Sequence, residues 1–498
     1  MQRPLNNSSK NLASILTVVD GTSTMSQREL SLIKVTGVSQ TSGSIVAGDI
    51  FVALPGQKFH GADFVLEAIS KGAVAVLSDA HGASKITELP VLISSNPRRA
   101  SGILSAWFYA EPMRDLYSIG ITGTNGKTTV TTLLHQIMQA AGRESGLIGT
   151  VETRIGRDAL ISKRTTPESS EIQALCALMR ERHMRTIIME VSSHAISLER
   201  IRGSHFAVVG FTNLSQDHLD FHKSMESYFK VKAELFTFEF ADLAVINIDD
   251  HYGAQLAKST ELPVITLSRS NSNATWYYTS ITRDYVGATV SIRGSEGILI
   301  ESKTSLHGGF NYDNLLMAVA IAVESGVDPI EIASIIPKLT GAVGRLEAVR
   351  LGQKFTALVD YAHSPDAVAR VLETAHEISD GNVIAVLGCG GDRDKTKRPL
   401  MGKALREGSD IAIFTSDNPR TENPEDILHQ MVENIEIAMP NQVISDRALA
   451  IRTAVNYANN GDVVIILGKG HEKGQDIDGV IHTFDDRIEL ARAIENKK

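Results

Sequence analysis

The chain has 498 residues, 43% of them hydrophobic, enough for about three cores at roughly 150 residues per domain. Its 49 Lys and Arg against 58 Asp and Glu leave a formal charge of −9, which argues against nucleic acid as a partner. Cys176 and Cys389 stand far apart and form no metal spacing, which fits a reducing cytoplasm.

Residues 12–19 form an apolar run behind Arg3 and Lys10 that stops at Asp20 without a small-residue cleavage site. That pattern predicts a first helix rather than a signal peptide. No stretch approaches the ~20 apolar residues of a membrane span, so the expectation is a cytoplasmic protein with no membrane partner. Apolar runs at 50–54 and 73–77 predict short strands, with a helix over 62–70. Glu111-Pro112 reads as a hinge and closes a first block, residues 1–112.

The second block, residues 113–340, opens with the most informative run. Residues 116–121 are strand-like, Gly123-Thr124-Asn125-Gly126-Lys127-Thr128-Thr129 follows as a glycine-rich turn, and 130–138 has a helical period. That order aims backbone N–H groups and a helix N-terminus at one spot, where an anion binds. Lys127 adds charge for the β- and γ-phosphates, and Thr128 a hydroxyl for Mg²⁺. The strict phosphate-loop spacing fails at one position, where Ile121 replaces its first glycine. Context therefore carries the reading, with a bland glycine turn as the alternative. Glu190 ends the apolar strand 186–191 and can hold Mg²⁺ through oxygen, or simply cap a helix. Strands at 207–212 and 243–248 extend an α/β core. His218 and His222 have the i, i+4 spacing of a zinc pair, but no zincin glutamate accompanies them and a surface helix explains them equally. No zinc is predicted. Lys232, on composition alone, is an ordinary helix lysine. Residues 276–293 predict an appended antiparallel patch, and a helix follows over about 313–325.

The third block, residues 341–498, alternates strands at 357–359, 383–387, 411–415 and 463–467 with helical patterns, a second doubly wound sheet. Ligands of such sheets bind outside the strands' carboxyl ends. The polar clusters lie there: Asp360-Tyr361-Ala362-His363, Gly388 to Arg393, Asp417-Asn418-Pro419-Arg420 and Gly468-Lys469-Gly470-His471-Glu472. Arg393 and Arg420 can grip carboxylates in bidentate fashion, and Glu472 can accept an ammonium. Such a set suits a ligand carrying both charges, an amino acid for example; structural ion pairs are the alternative. Arg345 reads equally as a salt-bridged surface arginine. No Asn-Lys-x-Asp motif supports a GTPase switch. The expected fold is α/β in three domains: a small N-terminal α/β domain, a central phosphate-loop ATPase-like domain and a C-terminal Rossmann-like doubly wound domain.

Five of these runs, with their spacing, resemble the Mur ligases, ATP-dependent amide-forming enzymes of peptidoglycan precursor synthesis. They are Gly123 to Thr129, Glu190-Val191-Ser192-Ser193-His194, Thr212-Asn213-Leu214-Ser215 with Asp217-His218-Leu219-Asp220, Gly309-Phe310-Asn311 with Asn314, and Asp360 to His363. Gly391-Asp392-Arg393-Asp394, Asp417 to Arg420 and Gly468 to Glu472 look like the branch that adds the third stem-peptide residue. The resemblance implies that the first block holds the UDP end of UDP-N-acetylmuramoyl-L-alanyl-D-glutamate. Ser42, Thr165, Thr166, Ser192 and Arg200 match its substrate contacts. Thr41-Ser42-Gly43 replaces the family's Asp-Ser-Arg, and Leu198 stands where some relatives have glutamine.

The resemblance also implies an ATP site of Gly123, Thr124, Asn125, Gly126, Lys127, Thr128 and Thr129, with Asn311 near the adenine and Arg345 and Asp360 at phosphate and ribose. The last two come from the linker and third block, which must then close over the nucleotide. Thr128, Glu190 and His218 match Mg²⁺ ligands, joined by Lys232, the lysine this family carbamylates with CO₂. Carbamylation turns a cation into an anion able to help hold Mg²⁺. Lys127, Lys232, His218 and Glu190 are therefore the expected catalytic set. Arg393, Asp417, Asn418, Pro419, Arg420, Gly468 and Glu472 match the amino-acid pocket, whose Asp-Asn-Pro-Arg form accompanies meso-diaminopimelate. Arg420 would pair with its distal carboxylate and Glu472 with its distal ammonium. Lysine would leave Arg420 unpaired, at a cost of several kcal/mol. The expectation is a monomer acting on small molecules: ATP phosphorylates the D-glutamate γ-carboxylate, and the amine of diaminopimelate displaces phosphate. His363 is a candidate base for that amine. Lysine addition, or a folylpolyglutamate-synthetase-like ligation, is the alternative.

Overall fold

Three mainly parallel sheets carry the fold. The computed structural model describes residues 2–5, 8–56, 58–156, 158–162, 164–284 and 287–497. The chain divides into two compact units: Met1–Tyr278 with Arg293–Leu299 and Asp313–Ile335, and Thr279–Ile292 with Ile300–Tyr312 and Ile336–Lys498.

In the first unit, α1 (Leu12–Val18) starts where the Asn11 side chain accepts the Ser14 N–H. Strands β1 (Gly37–Ser39), β2 (Asp49–Ala53), β3 (Ala75–Ser78) and β4 (Val91–Ile93) pair in that order, all parallel. Helix α2 (Pro97–Phe108), with Asn96 as its cap and proline in its first turn, packs against them. The predicted helix over 62–70 is instead a 3₁₀ turn, Gly61–Phe64, followed by one short helix, Val65–Ser70. His60 and Asp63 cap that turn reciprocally, which tightens it.

The central sheet contains β5 (Tyr117–Thr122), β6 (Ser145–Ile148), β7 (Glu152–Ile155), β8 (Asp158–Ile161), β9 (Thr186–Glu190), β10 (Phe206–Phe211), β11 (Ala241–Asn247) and β12 (Val264–Ser268). Their order is β8-β7-β6-β9-β5-β10-β11-β12, parallel except for β7 and β8. Helix α3 (Lys127–Ala140) follows β5, α4 (Ser169–Glu181) precedes β9, α5 (Ser193–Ser197) follows it, and α6 (Met225–Ala233) lies between β10 and β11. β5 is therefore the switch strand: the chain leaves it first toward β6 and later returns to β10 on its other side. Ligands of open α/β sheets bind at such a point. Glu190 pairs with Ile121 and Phe211 with Thr122, so three strand ends stop at one level.

The predicted patch at 276–293 forms β13 (Trp276–Asp284) and β14 (Gly287–Arg293); Tyr285 and Val286 lie outside the described residues. After β15 (Leu299–Thr304), helix α7 (Gly309–Glu324) begins earlier than its apolar period suggests. Gly308 turns the chain at φ 86, and Asn311 donates back to the His307 carbonyl.

In the second unit, β16 (Glu347–Ala348), β17 (Thr356–Asp360), β18 (Val383–Cys389), β19 (Ile411–Ser416), β20 (Gln442–Val443) and β21 (Val463–Leu467) take the order β16-β17-β21-β18-β19-β20. Only β16 is antiparallel. Helices α8 (Pro365–Ile378), α9 (Lys397–Glu407), α10 (Pro424–Met431), α11 (Arg447–Tyr457) and α12 (Asp486–Asn496) cover the sheet. Side chains alternate between two cores: Leu358, Leu387, Phe414 and Leu467 in one, Val359, Val386, Ile413 and Ile466 in the other. A hairpin of β22 (Gly474–Ile477) and β23 (Val480–Thr483) follows β21. Among the described residues no helix is long and apolar enough to cross a membrane.

Candidate functional site

The glycine-rich turn after β5 is held by the strand end beside it. Thr124 N–H donates to the Asn213 carbonyl (2.9 Å) and Asn125 N–H to Asn213 Oδ1 (3.0 Å). Thr212 Oγ1 returns a bond to the Asn125 carbonyl at 2.6 Å. The Thr212-Asn213 pair thus shapes the loop. Gly126 caps α3 at φ 87, and a Cβ there would stand 2.3 Å from Asn314 Oδ1. Only glycine satisfies both constraints. Lys127 Nζ lies against the loop, 2.8 Å from the carbonyls of Gly123 and Thr124, and Thr129 is buried in the first turn of α3.

Glu190 connects this loop to a second set of predicted residues. Its Oε2 accepts from Thr128 Oγ1 (3.0 Å) and Thr150 Oγ1 (2.9 Å), and its Oε1 from Thr150 N–H (2.7 Å). Thr150 Oγ1 also reaches Thr165 Oγ1 at 3.1 Å. Thr166 Oγ1 donates to the Glu190 carbonyl at 2.8 Å and lies 3.3 Å from Ser192 Oγ. Arg200 reaches the Thr166 carbonyl at 3.4 Å and Glu168 Oε1 at 3.0 Å. Thr128, Glu190, Thr165, Thr166, Ser192 and Arg200 therefore form one continuous network. Thr150, its hub, was missed in the sequence; a lone threonine behind Gly149 carries no signal. Ser42 is outside it, bonded to Glu67 at 2.7 Å.

The residues around Glu190 fit Mg²⁺. Oxygen donors suit that ion, and two neighbouring ligands of an octahedron with bonds of about 2.0–2.1 Å stand about 2.9 Å apart. Thr128 Oγ1 and Glu190 Oε2 have that spacing. His218 is placed otherwise: left-handed at φ 52, with Asp217 Oδ2 at 3.4 Å and its ring edge-on to His194. Among the described residues it makes no hydrogen bond to Thr128 or Glu190. His222 is not on a surface helix, since it is buried against Tyr228 with Nε2 2.9 Å from Ser193 Oγ.

Lys232 is not an ordinary helix lysine. It is 1% exposed on α6, its Nζ 2.9 Å from the Gly123 carbonyl and 4.9 Å from the centre of the Tyr228 ring. Burial, reinforced by the Lys127 charge, pushes its amine well below the ordinary lysine range. A neutral amine is the form that reacts with CO₂, so the site fits carbamylation.

The second unit gathers the remaining predicted residues at the carboxyl ends of its strands. Asp360, buried at the end of β17, accepts the N–H groups of Leu346 (2.7 Å) and Ala362 (2.8 Å). Burial raises its pKa and the Arg345 charge lowers it. Arg345 stacks over Tyr361 at 4.8 Å rather than in a surface ion pair, and His363 Nδ1 turns to the Tyr361 carbonyl. Asn311, in the same unit, is buried. After β19, Asp417 is buried and Asn418 Nδ2 donates to Glu472 Oε2 at 2.8 Å. Gly468, at φ 110, brings its backbone against Asp417, where a Cβ would stand 2.7 Å from Oδ2. The Pro419 carbonyl closes on Gly391, which leaves no room for a side chain there. Arg420 Nη1 donates to the Gly391 carbonyl (2.5 Å), with Nε 4.0 Å from Asp476 Oδ2, and Arg393 is exposed nearby. Lys469, part of the sequence motif but given no role there, is fully buried between Asn418 and Glu472.

Three family models match the chain: Mur ligase family, catalytic domain, over residues 34–103; Mur ligase middle domain over 121–322; and Mur ligase, glutamate ligase domain, over 344–470. The chain is 45% identical over 470 residues to the UDP-N-acetylmuramoyl-L-alanyl-D-glutamate–2,6-diaminopimelate ligase of Streptomyces coelicolor, covering 93% of each. A solved structure of a ligase of that same name is 31% identical, with a TM-score of 0.72 over 98% of this chain and 99% of that one. The MurF ligase of Thermotoga maritima, solved in complex with ADP, has a TM-score of 0.61 at 17% identity, over 93% of this chain and 97% of that one, a likeness of fold alone.

Proposed function

The chain belongs to the Mur ligase family, and from that premise we propose that it joins meso-diaminopimelate to the D-glutamate γ-carboxylate of UDP-N-acetylmuramoyl-L-alanyl-D-glutamate. It does so at the expense of ATP, as a cytoplasmic monomer, in domains spanning residues 1–112, 113–340 and 341–498. The observation that carries this reading is the Glu190 network, in which one carboxylate bonds the phosphate-loop Thr128 on one side and, through Thr150, Thr165 on the other. A phosphate donor and the acid that receives the phosphate need such adjacent cradles.

The γ-carboxylate attacks the ATP γ-phosphorus, ADP leaves, and an acyl phosphate forms. Lys127, with the loop N–H groups, neutralises charge on the transferring phosphoryl group. Bound Mg²⁺ would add Lewis-acid stabilisation, held by Thr128, Glu190 and carbamylated Lys232, while His218 is turned to Asp217 rather than to them. Thr165, Thr166, Ser192 and Arg200 hold the muramoyl dipeptide, and Ser42 contacts the uridine end. Asn311 lies near the adenine, and Arg345 and Asp360 contact the ATP phosphate and ribose. The free amine of diaminopimelate then attacks the acyl carbon, and collapse of the tetrahedral adduct expels phosphate and leaves the amide. Arg393, Asp417, Asn418, Pro419, Arg420, Gly468 and Glu472 form the amino-acid pocket, with Arg420 reserved for the distal carboxylate.

The test supplies ATP and Mg²⁺ with the UDP-muramoyl dipeptide and either meso-diaminopimelate or lysine, and measures phosphate and tripeptide mass. Phosphate release should require both the dipeptide and diaminopimelate. Equal rates with lysine would sink the specificity, and release needing neither acceptor would sink the ligase reading.

A further inference from the structure

Lys469 is a fully buried ammonium at a strand end. It follows β21 between Gly468 and Gly470, at φ 110 and 52, where L side chains are strained. A Cβ on Gly470 would stand 2.6 Å from that of Tyr361 and 2.8 Å from the Gly344 carbonyl, so glycine is required by space as well. This double-glycine turn inserts Lys469 against the loop after β19. Its Nζ donates to Asn418 Oδ1 (2.9 Å) and Glu472 Oε2 (3.0 Å), and Asn418 Nδ2 closes the triangle on the same Oε2 at 2.8 Å. Asn418 has a second anchor, because the Asp476 N–H reaches its Oδ1 at 3.0 Å.

Burying an ammonium is unfavourable unless it is paired and hydrogen-bonded, and here both partners are predicted pocket residues. Three carboxylates, Asp417, Glu472 and Asp486, interact in this cluster with two cations, Arg447 and Lys469. Both bonds to Glu472 fall on Oε2, and neither on Oε1.

Resting on the reading of Glu472 as part of the amino-acid pocket, we propose that Lys469 is a positioning residue for the incoming amino acid. Its buried ammonium pins the Glu472 carboxylate through Oε2, so that the substrate's ammonium meets an acceptor already oriented. Preorganisation of this kind lowers the cost of binding and leaves the chemical step alone.

The test compares wild type, Lys469→Met, Glu472→Gln and the double variant, with saturating ATP and UDP-muramoyl dipeptide and varied diaminopimelate. Lys469→Met should raise KM for diaminopimelate about tenfold or more, with kcat within about threefold and KM for the other two substrates unchanged. The double variant should match Glu472→Gln within about threefold, because both changes act through one carboxylate. A loss confined to kcat, or a double variant about tenfold worse than Glu472→Gln, would overturn the proposal. The double variant buries no bare carboxylate, so it decides the matter even where Lys469→Met alone does not fold. Wild type that makes no tripeptide would remove the premise, and the proposal with it, whereas wild-type turnover with unaltered KM in Lys469→Met sinks the proposal alone.

Discussion

Lys232 occupies a core register. Tyr228, Phe229 and Lys232 share one face of α6 and all three are buried, as are Leu235 and Phe236 just beyond its end. Composition hides this and register reveals it, so the burial was legible in the sequence to a helical-face reading. Replacing Lys232 by Met should lower kcat by about 10²–10³-fold if its carbamate helps hold the charge that develops on the phosphoryl group. The same variant should be more stable than wild type in CO₂-free buffer. The folded-state amine gives up its proton at a lower pH than the unfolded one, so between the two values the unfolded chain binds more protons. Stability from this group therefore rises with pH across that window, and below it folding must bury an ammonium. Methionine removes both the penalty and the slope. Urea unfolding of both proteins at pH 7 and pH 9 should show a gap that narrows at the higher pH, by about 1.4 kcal/mol for each pH unit inside that window. A destabilised Lys232→Met would contradict this account. Thr150 and Lys469 were less legible: their partners Glu190, Asn418 and Glu472 meet them through space, and one chain does not display such pairings.

At the scale of elements, fully buried strands were the easiest to read. β18 and β21 are unbroken apolar runs, and β9 is apolar between Thr186 and Glu190, because both faces are covered. The turn at Gly61–Phe64 was not, because the reciprocal cap of His60 and Asp63 overrides helical spacing. Two glycines separate conformational strain from site geometry. Gly126 and Gly142 are both left-handed, at φ 87 and 66, but a Cβ meets Asn314 at Gly126 and nothing within 4 Å at Gly142. Gly142→Ala should cost about 1–2 kcal/mol and leave KM for ATP unchanged. Gly126→Ala should carry a similar strain and also raise KM for ATP about tenfold or more, by moving the N–H groups that meet phosphate. Equal ATP kinetics in the two variants would remove the special role given to Gly126. Between α11 and α12, the fully buried Arg447 guanidinium meets both oxygens of Asp486 at 2.7 Å. Asp486→Ala removes the carboxylate paired with that cation, leaving it the Ser416 and Leu467 carbonyls, and should cost about 3–5 kcal/mol, read as a lower urea midpoint.

For the whole molecule, the three-block α/β plan was legible because apolar strand runs alternate with helical stretches in each block, and the two-unit division was not. The first block shares one unit with most of the second because α4 carries apolar residues on the first core: Ala174 and Ala177 pack with Leu104 and Phe108 of α2. Arg98 adds an ion pair to Glu168 at 3.5 Å, and Arg180 binds the carbonyls of Tyr109 and Ala110. A boundary so crossed by apolar contact should not separate on heating, and the second unit's sheet has two cores of its own, built from residues 346–494. Calorimetry should therefore resolve two transitions rather than three. A ligand raises only the unit it binds, by about 2.7 kcal/mol at a concentration 100-fold above its Kd. Diaminopimelate alone should shift the transition that Asp486→Ala lowers and leave the other in place, since every pocket residue assigned to it lies in the second unit. The Asp486→Ala shift identifies that transition independently of any ligand. If diaminopimelate moved the other transition instead, the pocket assigned from Arg393 to Glu472 would be in the wrong unit.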